Sequence, residues 1–327
     1  MPSRAPKAGL TPRRQPALPG RVRNLYTRAM NKNSPPSWRS LYPFESHFLN
    51  LHGTRLHYID EGSGDPVLMV HGNPTWSFYW RKLAVHLRAC YRTVVLDHVG
   101  CGLSDKPQEY DYVLPRHTQN LVQLIDHLDL DRITLVAHDW GGAIGLGAAV
   151  QRPNRFSRIV LLNTGAFPPP YIPWRIRACR IPLLGSLAVR GLNLFNRAAI
   201  SMAVEKRMTS DVCDGLLAPY DSWANRVAVD RFVKDIPASP RHPNWAVLRD
   251  LEETLPQLAD RPWLLVWGMK DWCFRPSCLE RLHEANPNAE VVQLADAGHY
   301  VMEDEPDGVI AAIDSFLSRH PANAKGT

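Results

Sequence analysis

The segment Val136-Ala137-His138-Asp139-Trp140-Gly141-Gly142 closes an apolar run over 133–137 and opens a stretch of small residues that reads as a helix start. A strand-to-helix turn of this kind holds its central side chain exposed on a tight bend, and glycines follow because the backbone passes close to its neighbours. Serine is the usual occupant of that bend; here it is Asp139. Serine makes an acyl-enzyme from a carbonyl, whereas a carboxylate can displace a leaving group from an sp3 carbon and leave an alkyl ester for water to cleave. An Asp that merely caps the next helix is the bland alternative, and the surrounding residues weigh against it.

A second turn, His71-Gly72-Asn73-Pro74, follows the apolar run at 66–70. In hydrolases built this way, that turn and the residue after the nucleophile each contribute a backbone N–H to an anion site. Asn73 and Trp140 are the natural donors, and their side chains, an amide and an indole N–H, can also hold a leaving anion in a dry pocket. Downstream, Ala295-Asp296-Ala297-Gly298-His299-Tyr300 follows the last apolar strand, which places His299 where a general base belongs. Its orienting carboxylate has two customary places. The end of the strand before 166 carries Asn163 and no acid, whereas Val266-Trp267-Gly268-Met269-Lys270-Asp271 supplies one. Asp271 is therefore the expected third member, with Asp304 or Asp296 as weaker candidates. His71 and His138 read as structural hydrogen-bonding residues.

These residues need a scaffold that brings strand ends together. Alternating runs at 47–51 and 56–59 predict a hairpin, and apolar runs at 66–70, 92–96, 133–137, 159–162, 263–267 and 290–294 predict buried parallel strands. Helical stretches at 78–89, 116–128, 141–151, 275–285 and 306–319 separate them. The expected architecture is the α/β-hydrolase fold, a mostly parallel doubly wound sheet with ligands at the carboxyl ends of its strands. The core is expected at 43–165 and 241–322. A helical cap at 166–240, begun by Phe167-Pro168-Pro169-Pro170, is expected to wall the pocket from water.

The chain has 327 residues, 45% of them hydrophobic, and a net charge of +6. Much of the excess lies in a Pro-rich segment with no acid before Glu45, read as a disordered tail over 1–42, with a short tail at 323–327. The remainder is nearly balanced, so a nucleic-acid partner is not expected. No secretory leader precedes the fold and no 18-residue apolar run occurs, so a cytoplasmic protein without a membrane span is expected. Six cysteines show no CxxC pair, and Cys273, near Asp271, reads as a packing residue. No metal-ligand cluster, phosphate loop or dinucleotide fingerprint is present, which implies a mechanism without cofactor or metal.

Together, His71-Gly72-Asn73-Pro74, His138-Asp139-Trp140-Gly141-Gly142 and Ala297-Gly298-His299 resemble the haloalkane dehalogenases over about residues 45–320. The resemblance implies that Asp139 attacks the halogen-bearing carbon, Asn73 and Trp140 bind the released halide, and His299 activates water. Asp271 with Asn73 looks like the third subfamily, a branch that also holds the β-lactone decarboxylases of bacterial long-chain olefin biosynthesis. Segments 76–81, 97–107 and 219–237 are similar to those enzymes too. Dehalogenase chemistry is named first and β-lactone decarboxylation is its alternative; the two differ in what leaves. A small hydrophobic substrate, haloalkane or long-chain β-lactone, is the expected partner, with a homo-oligomer or an assembly with pathway enzymes as further possibilities. Third comes an epoxide hydrolase, which needs two Tyr donors from the cap, and Tyr171 and Tyr220 are available. A binding protein that has lost activity is disfavoured by the complete set Asp139, His299 and Asp271.

Overall fold

The computed structural model describes Met1 and residues 36–322. Of the two expected tails, residues 2–35 and 323–327 lie outside the described residues. Ser37–Leu41 forms a 3-10 turn, Tyr42 is buried, and Trp38 stands edge-on to Trp76 and Phe78. Packing thus begins ahead of residue 43, carried by aromatics that a basic, Pro-rich context conceals.

Eight strands form one sheet: β1 (His47–Leu51), β2 (Thr54–Glu61), β3 (Pro66–Val70), β4 (Arg92–Leu96), β5 (Ile133–Asp139), β6 (Phe156–Thr164), β7 (Trp263–Gly268) and β8 (Glu290–Leu294). Their order is β1-β2-β4-β3-β5-β6-β7-β8. β1 and β2 are antiparallel, joined through His52 and Gly53, both at positive φ, in the turn geometry that matches strand twist. β2 also runs antiparallel to β4, and the remaining pairs are parallel. The chain therefore moves from β3 outward to β4 and then crosses back to β5 on the other side of β3. That reversal opens a crevice beyond the carboxyl ends of β3 and β5, where ligands bind in doubly wound sheets.

Both sheet faces are covered, so the central strands are apolar throughout, as their runs of Val, Ile and Leu predict. Successive residues alternate between two cores. Leu68, Val70, Leu135, Ala137 and Leu161 pack with Leu121 and Ile144 on one side, while Val67, Met69, Val136 and Val160 meet Trp80, Ile313 and Phe316 on the other. β8 departs from the expected buried run. It lies at the sheet edge, and its residues alternate between half-buried and exposed. The expected helices occur as Arg81–Leu87 (preceded by the 3-10 turn Ser77–Trp80), Leu114–His127, Trp140–Gln151, Pro276–Ala285 and Pro306–Arg319. Between β6 and β7 come short helices from Trp174 to Asp235, then the longer Pro243–Thr254.

Leu135 is fully buried at the centre of β5, tight against Gly145 of the helix that follows. Leu135→Ala should lower unfolding stability by about 2–5 kcal/mol in denaturant titration. A loss under about 1 kcal/mol would contradict this packing.

Candidate functional site

β5 ends at Asp139 and the next helix starts at Trp140, with no linker. This forces Asp139 to φ 52°, ψ −128°, a conformation costly for any residue with a Cβ. Two glycines make the bend possible. A Cβ on Gly141 would strike the backbone of Val70, and one on Gly72 would occupy the place of the Asp139 carboxylate. The Thr164 hydroxyl, at the end of β6, donates to the Asp139 carbonyl and anchors the strained peptide.

Asp139 Oδ1 accepts the Asn73 N–H at 2.6 Å, and the Trp140 N–H lies against the same carboxylate. The two backbone donors expected from the sequence thus converge on the side chain of Asp139. Its other oxygen, Oδ2, is 3.7 Å from His299 Nε2. Burial pushes the Asp139 carboxyl above its ordinary range, opposed by His299 and by the two N–H groups.

His299 Nδ1 lies 2.8 Å from Asp271 Oδ2. A carboxylate only accepts, so Nδ1 carries the proton and Nε2 faces Asp139. Burial alone would lower this imidazole, but the charge and hydrogen bond of Asp271, with Asp139 behind them, outweigh it and hold His299 above its ordinary value. Asp271 is itself fixed on both oxygens: Oδ1 accepts the Cys273 N–H at 2.6 Å, and Oδ2 accepts the Asn163 amide at 3.0 Å. Asn163, at φ 30°, also accepts the Gly268 N–H at 2.7 Å and donates to its carbonyl at 3.0 Å, tying β6 to β7. In the sequence, Asn163 stands out only as the absence of an acid. Its polar side chain within an apolar strand was the available signal.

The weaker acid candidates lie elsewhere. Asp304 accepts from the N–H groups of Glu205, Lys206 and Gly298, pinning the loop before His299, and Asp296 pairs with Lys270 at the surface. Neither contacts His299. His138 Nε2 donates to the His299 carbonyl at 2.8 Å and its ring stacks on Tyr79; burial, with His299 nearby, keeps it far below its ordinary value and neutral. His71 bonds the Gly72 carbonyl through Nδ1 and accepts the His98 N–H on Nε2. Both rings are thus bonded to backbone groups.

Asp139, Asn73, Trp140 and His299 line a chamber of about 490 Å³ whose other walls are almost all apolar, among them Phe167, Phe195, Leu248 and Phe274. Such a size and lining suit a hydrophobic small molecule. The Asn73 amide makes only a 3.4 Å bond to the Val229 carbonyl, and its Oδ1 is buried without a partner. The two tyrosines that epoxide chemistry would need are otherwise engaged. Tyr171 donates to the carbonyls of Trp272 and Cys273, and Tyr220, fully buried, donates to the Thr75 carbonyl. Neither is a free donor to a substrate in the chamber, which removes the support for epoxide chemistry.

Residues 65–178 and 193–306 match a model of the α/β-hydrolase fold. The chain is 45% identical over 286 residues, 85% of its length and 90% of the relative's, to a protein of Shewanella oneidensis named cis-3-alkyl-4-alkyloxetan-2-one decarboxylase. A protein of the same name from Xanthomonas campestris is 42% identical, covering 82% of this chain and 94% of that one. Haloalkane dehalogenase 2 of Mycobacterium tuberculosis is 37% identical, covering 84% and 95%. The crystal structure of a haloalkane dehalogenase from Agrobacterium tumefaciens superposes with a TM-score of 0.77 over 84% of this chain and 96% of that one, at 24% identity, which speaks for the fold. An elbow at the end of β5, a histidine loop after β8 and an acid after β7 sit on the sheet that those comparisons share, and the chain belongs to the α/β-hydrolase fold family.

Proposed function

We propose that this chain is a β-lactone decarboxylase that converts a cis-3-alkyl-4-alkyloxetan-2-one to an alkene and carbon dioxide. The observation that carries this reading is the graded similarity: 45% and 42% identity to two proteins named for that reaction, against 37% for a dehalogenase over a comparable length. It reverses the order in which the sequence motifs alone name the two activities. The apolar chamber supports it, because two alkyl chains on a four-membered ring need an apolar enclosure with polar groups at one end.

In this mechanism an Asp139 oxygen attacks the sp3 ring carbon bonded to the ring oxygen, not the carbonyl carbon. The C–O bond breaks, and its electron pair leaves on the carboxylate of the opened lactone, which the side-chain donors of Asn73 and Trp140 receive. The bond to that carboxylate then breaks, its electrons form the C=C bond, and Asp139 departs as the free carboxylate. No water is consumed. The imidazolium of His299, held by Asp271, stabilises the departing Asp139.

Haloalkane dehalogenation is the second reading. It is favoured by the Asn73 amide and the Trp140 indole, side-chain donors in an otherwise apolar chamber. There the ester must be hydrolysed, and neutral His299 takes a proton from water through Nε2. Esterification removes the Asp139 charge that helps keep His299 protonated, so the base becomes available when it is needed.

Purified protein should convert a cis-dialkyl β-lactone to alkene, detected in an organic extract, faster than it releases halide from 1-iodohexane. Asp139→Ala should abolish both reactions; retention of more than about a tenth of kcat removes Asp139 as nucleophile. Halide release without any alkene would leave the second reading in place of the first.

The two readings also demand opposite states of His299. Alkene formation should fall as pH rises through a His299 pKa above the ordinary 6.5 or so, whereas ester hydrolysis should rise with pH. Histidine NMR titration should place His299 above that value, and Asp271→Asn should lower it while reducing turnover by roughly 10³–10⁴-fold. An unmoved His299 midpoint in Asp271→Asn would disconnect the pair.

For the hydrolytic reading, His299→Phe should still release one equivalent of halide and then stall as an alkyl-enzyme, visible as added mass. Continued multiple turnover in that variant would show that another group activates water.

A further inference from the structure

The outer part of the cap has an unusual composition. From Trp140 to Val204 the chain contains no Asp or Glu, while residues 171–204 carry Arg175, Arg177, Arg180, Arg190 and Arg197. None of these five forms an ion pair among the described residues; Arg180 and Arg190 are half-buried and donate to the carbonyls of Val233, Lys234 and Trp223 and to Gln108, whereas Arg175, Arg177 and Arg197 are exposed. The short elements of this segment, Trp174–Cys179, Leu184–Ser186, Leu187–Gly191 and Leu194–Met202, pack one against the next. They leave large apolar side chains in water: Leu183 is 87% exposed, Trp174 73% and Leu184 65%, with Ile181, Leu187 and Leu192 also exposed.

Leu183 adopts φ 62°, ψ −55°, and the Leu184 N–H donates to the Pro182 carbonyl at 2.7 Å. This is the strained, positive-φ form of the three-residue turn. It costs backbone energy and buries neither leucine. A cluster of this kind on a folded surface marks an interaction site. Trp174 and Leu194 belong both to this exposed surface and to the chamber wall, so the two are continuous.

We propose that this face of the cap docks on an anionic lipid bilayer, with Trp174 and the leucines at the boundary of headgroups and acyl chains and Arg175, Arg177 and Arg197 on lipid phosphates. Exposed apolar side chains accompanied by exposed basic ones without acidic partners are the chemistry of interfacial binding, and guanidinium matches phosphate in geometry and charge. No described helix is long and apolar enough to cross a membrane, so the contact lies along the surface. A long-chain substrate dissolved in the bilayer then enters the chamber without crossing water. This route of entry rests on the apolar-substrate reading above; the docking itself does not.

The test is flotation of the full-length protein with phosphatidylcholine vesicles that contain or lack a quarter of phosphatidylglycerol. Wild type should float with the anionic vesicles, weakly at high salt, and remain behind with the neutral ones. Arg177→Gln and Arg197→Gln should each weaken binding about fivefold. The triple change Leu183→Ser, Leu184→Ser and Leu187→Ser should weaken it at least about tenfold. None of these three leucines lines the chamber, so the triple variant should turn over a short-chain, water-soluble β-lactone, or 1-iodohexane, like wild type. Near-UV circular dichroism checks that the variants are folded.

Absence of wild-type flotation overturns the proposal. So does equal flotation of the arginine and leucine variants, which would assign binding to the basic residues ahead of Glu45. A wild-type dimer in sedimentation equilibrium that becomes monomeric in the leucine variant would assign the face to a second copy of the chain. Flotation is read without turnover, so failure of the reaction assignment leaves this result standing, and the reverse holds too.

Discussion

Asp139 is held at a backbone conformation that a residue with a side chain rarely adopts, and much of the neighbouring structure is arranged around that bend. Without a linker between β5 and the following helix, the side chain projects beyond the sheet and cannot fold back into the core. The absence of side chains at Gly72 and Gly141, the Thr164 hydroxyl on its carbonyl and the Asn73 N–H on its carboxylate each answer a need created by the bend. The reversal of strand order between β3 and β5 supplies the space, because it sets the His71–Pro74 turn beside the elbow. Strain is thus local to one residue, while its compensation is spread over three strand ends.

The second constraint is electrostatic. Asp139, His299 and Asp271 are all buried, and isolated charges there would be prohibitive. Each is instead surrounded by groups that tolerate or oppose its charge in a graded way. Asp271 has both oxygens occupied by donors; Asp139 has one oxygen held by backbone N–H and the other turned to the imidazole. His138, closer to His299 than any other histidine by ring contact, is kept neutral by burial and adds no competing positive charge. The pair of carboxylates on either side of one imidazole is therefore sustained by neutral dipoles, and the chamber can stay apolar elsewhere.

Most of this was legible from the chain. The elbow, the turn at Asn73, the acid at 271 and the loop at 299 each sit at a strand's carboxyl end that apolar periodicity locates, and the structure brings Asn73, Asp139, Trp140 and His299 to one chamber, with Asp271 bonded to the imidazole. Legibility failed where a residue's partner is distant in sequence. Asn163 looked empty of function because its bonds run to Gly268 and Asp271, more than a hundred positions away. Tyr171 and Tyr220 looked available because their hydroxyl partners are backbone carbonyls, which leave no mark in side-chain patterns. β8 looked buried because a run of Val and Leu does not reveal that the next strand is missing on one side.

The placement of Asn163 has a consequence for how this site can vary. Its amide nitrogen and the histidine Nδ1 meet at the same oxygen of Asp271, so positions 163 and 271 open onto a common vertex from two different strands. A carboxylate rooted at either position is within a side chain's length of the imidazole. The acid can therefore change its address in the chain, from the end of β6 to the end of β7, while the histidine, the elbow and the sheet stay where they are. Two sequences that look unlike at both positions can then present the same charge to the same nitrogen, and a residue-by-residue alignment would read as a loss what is, in space, a change of root.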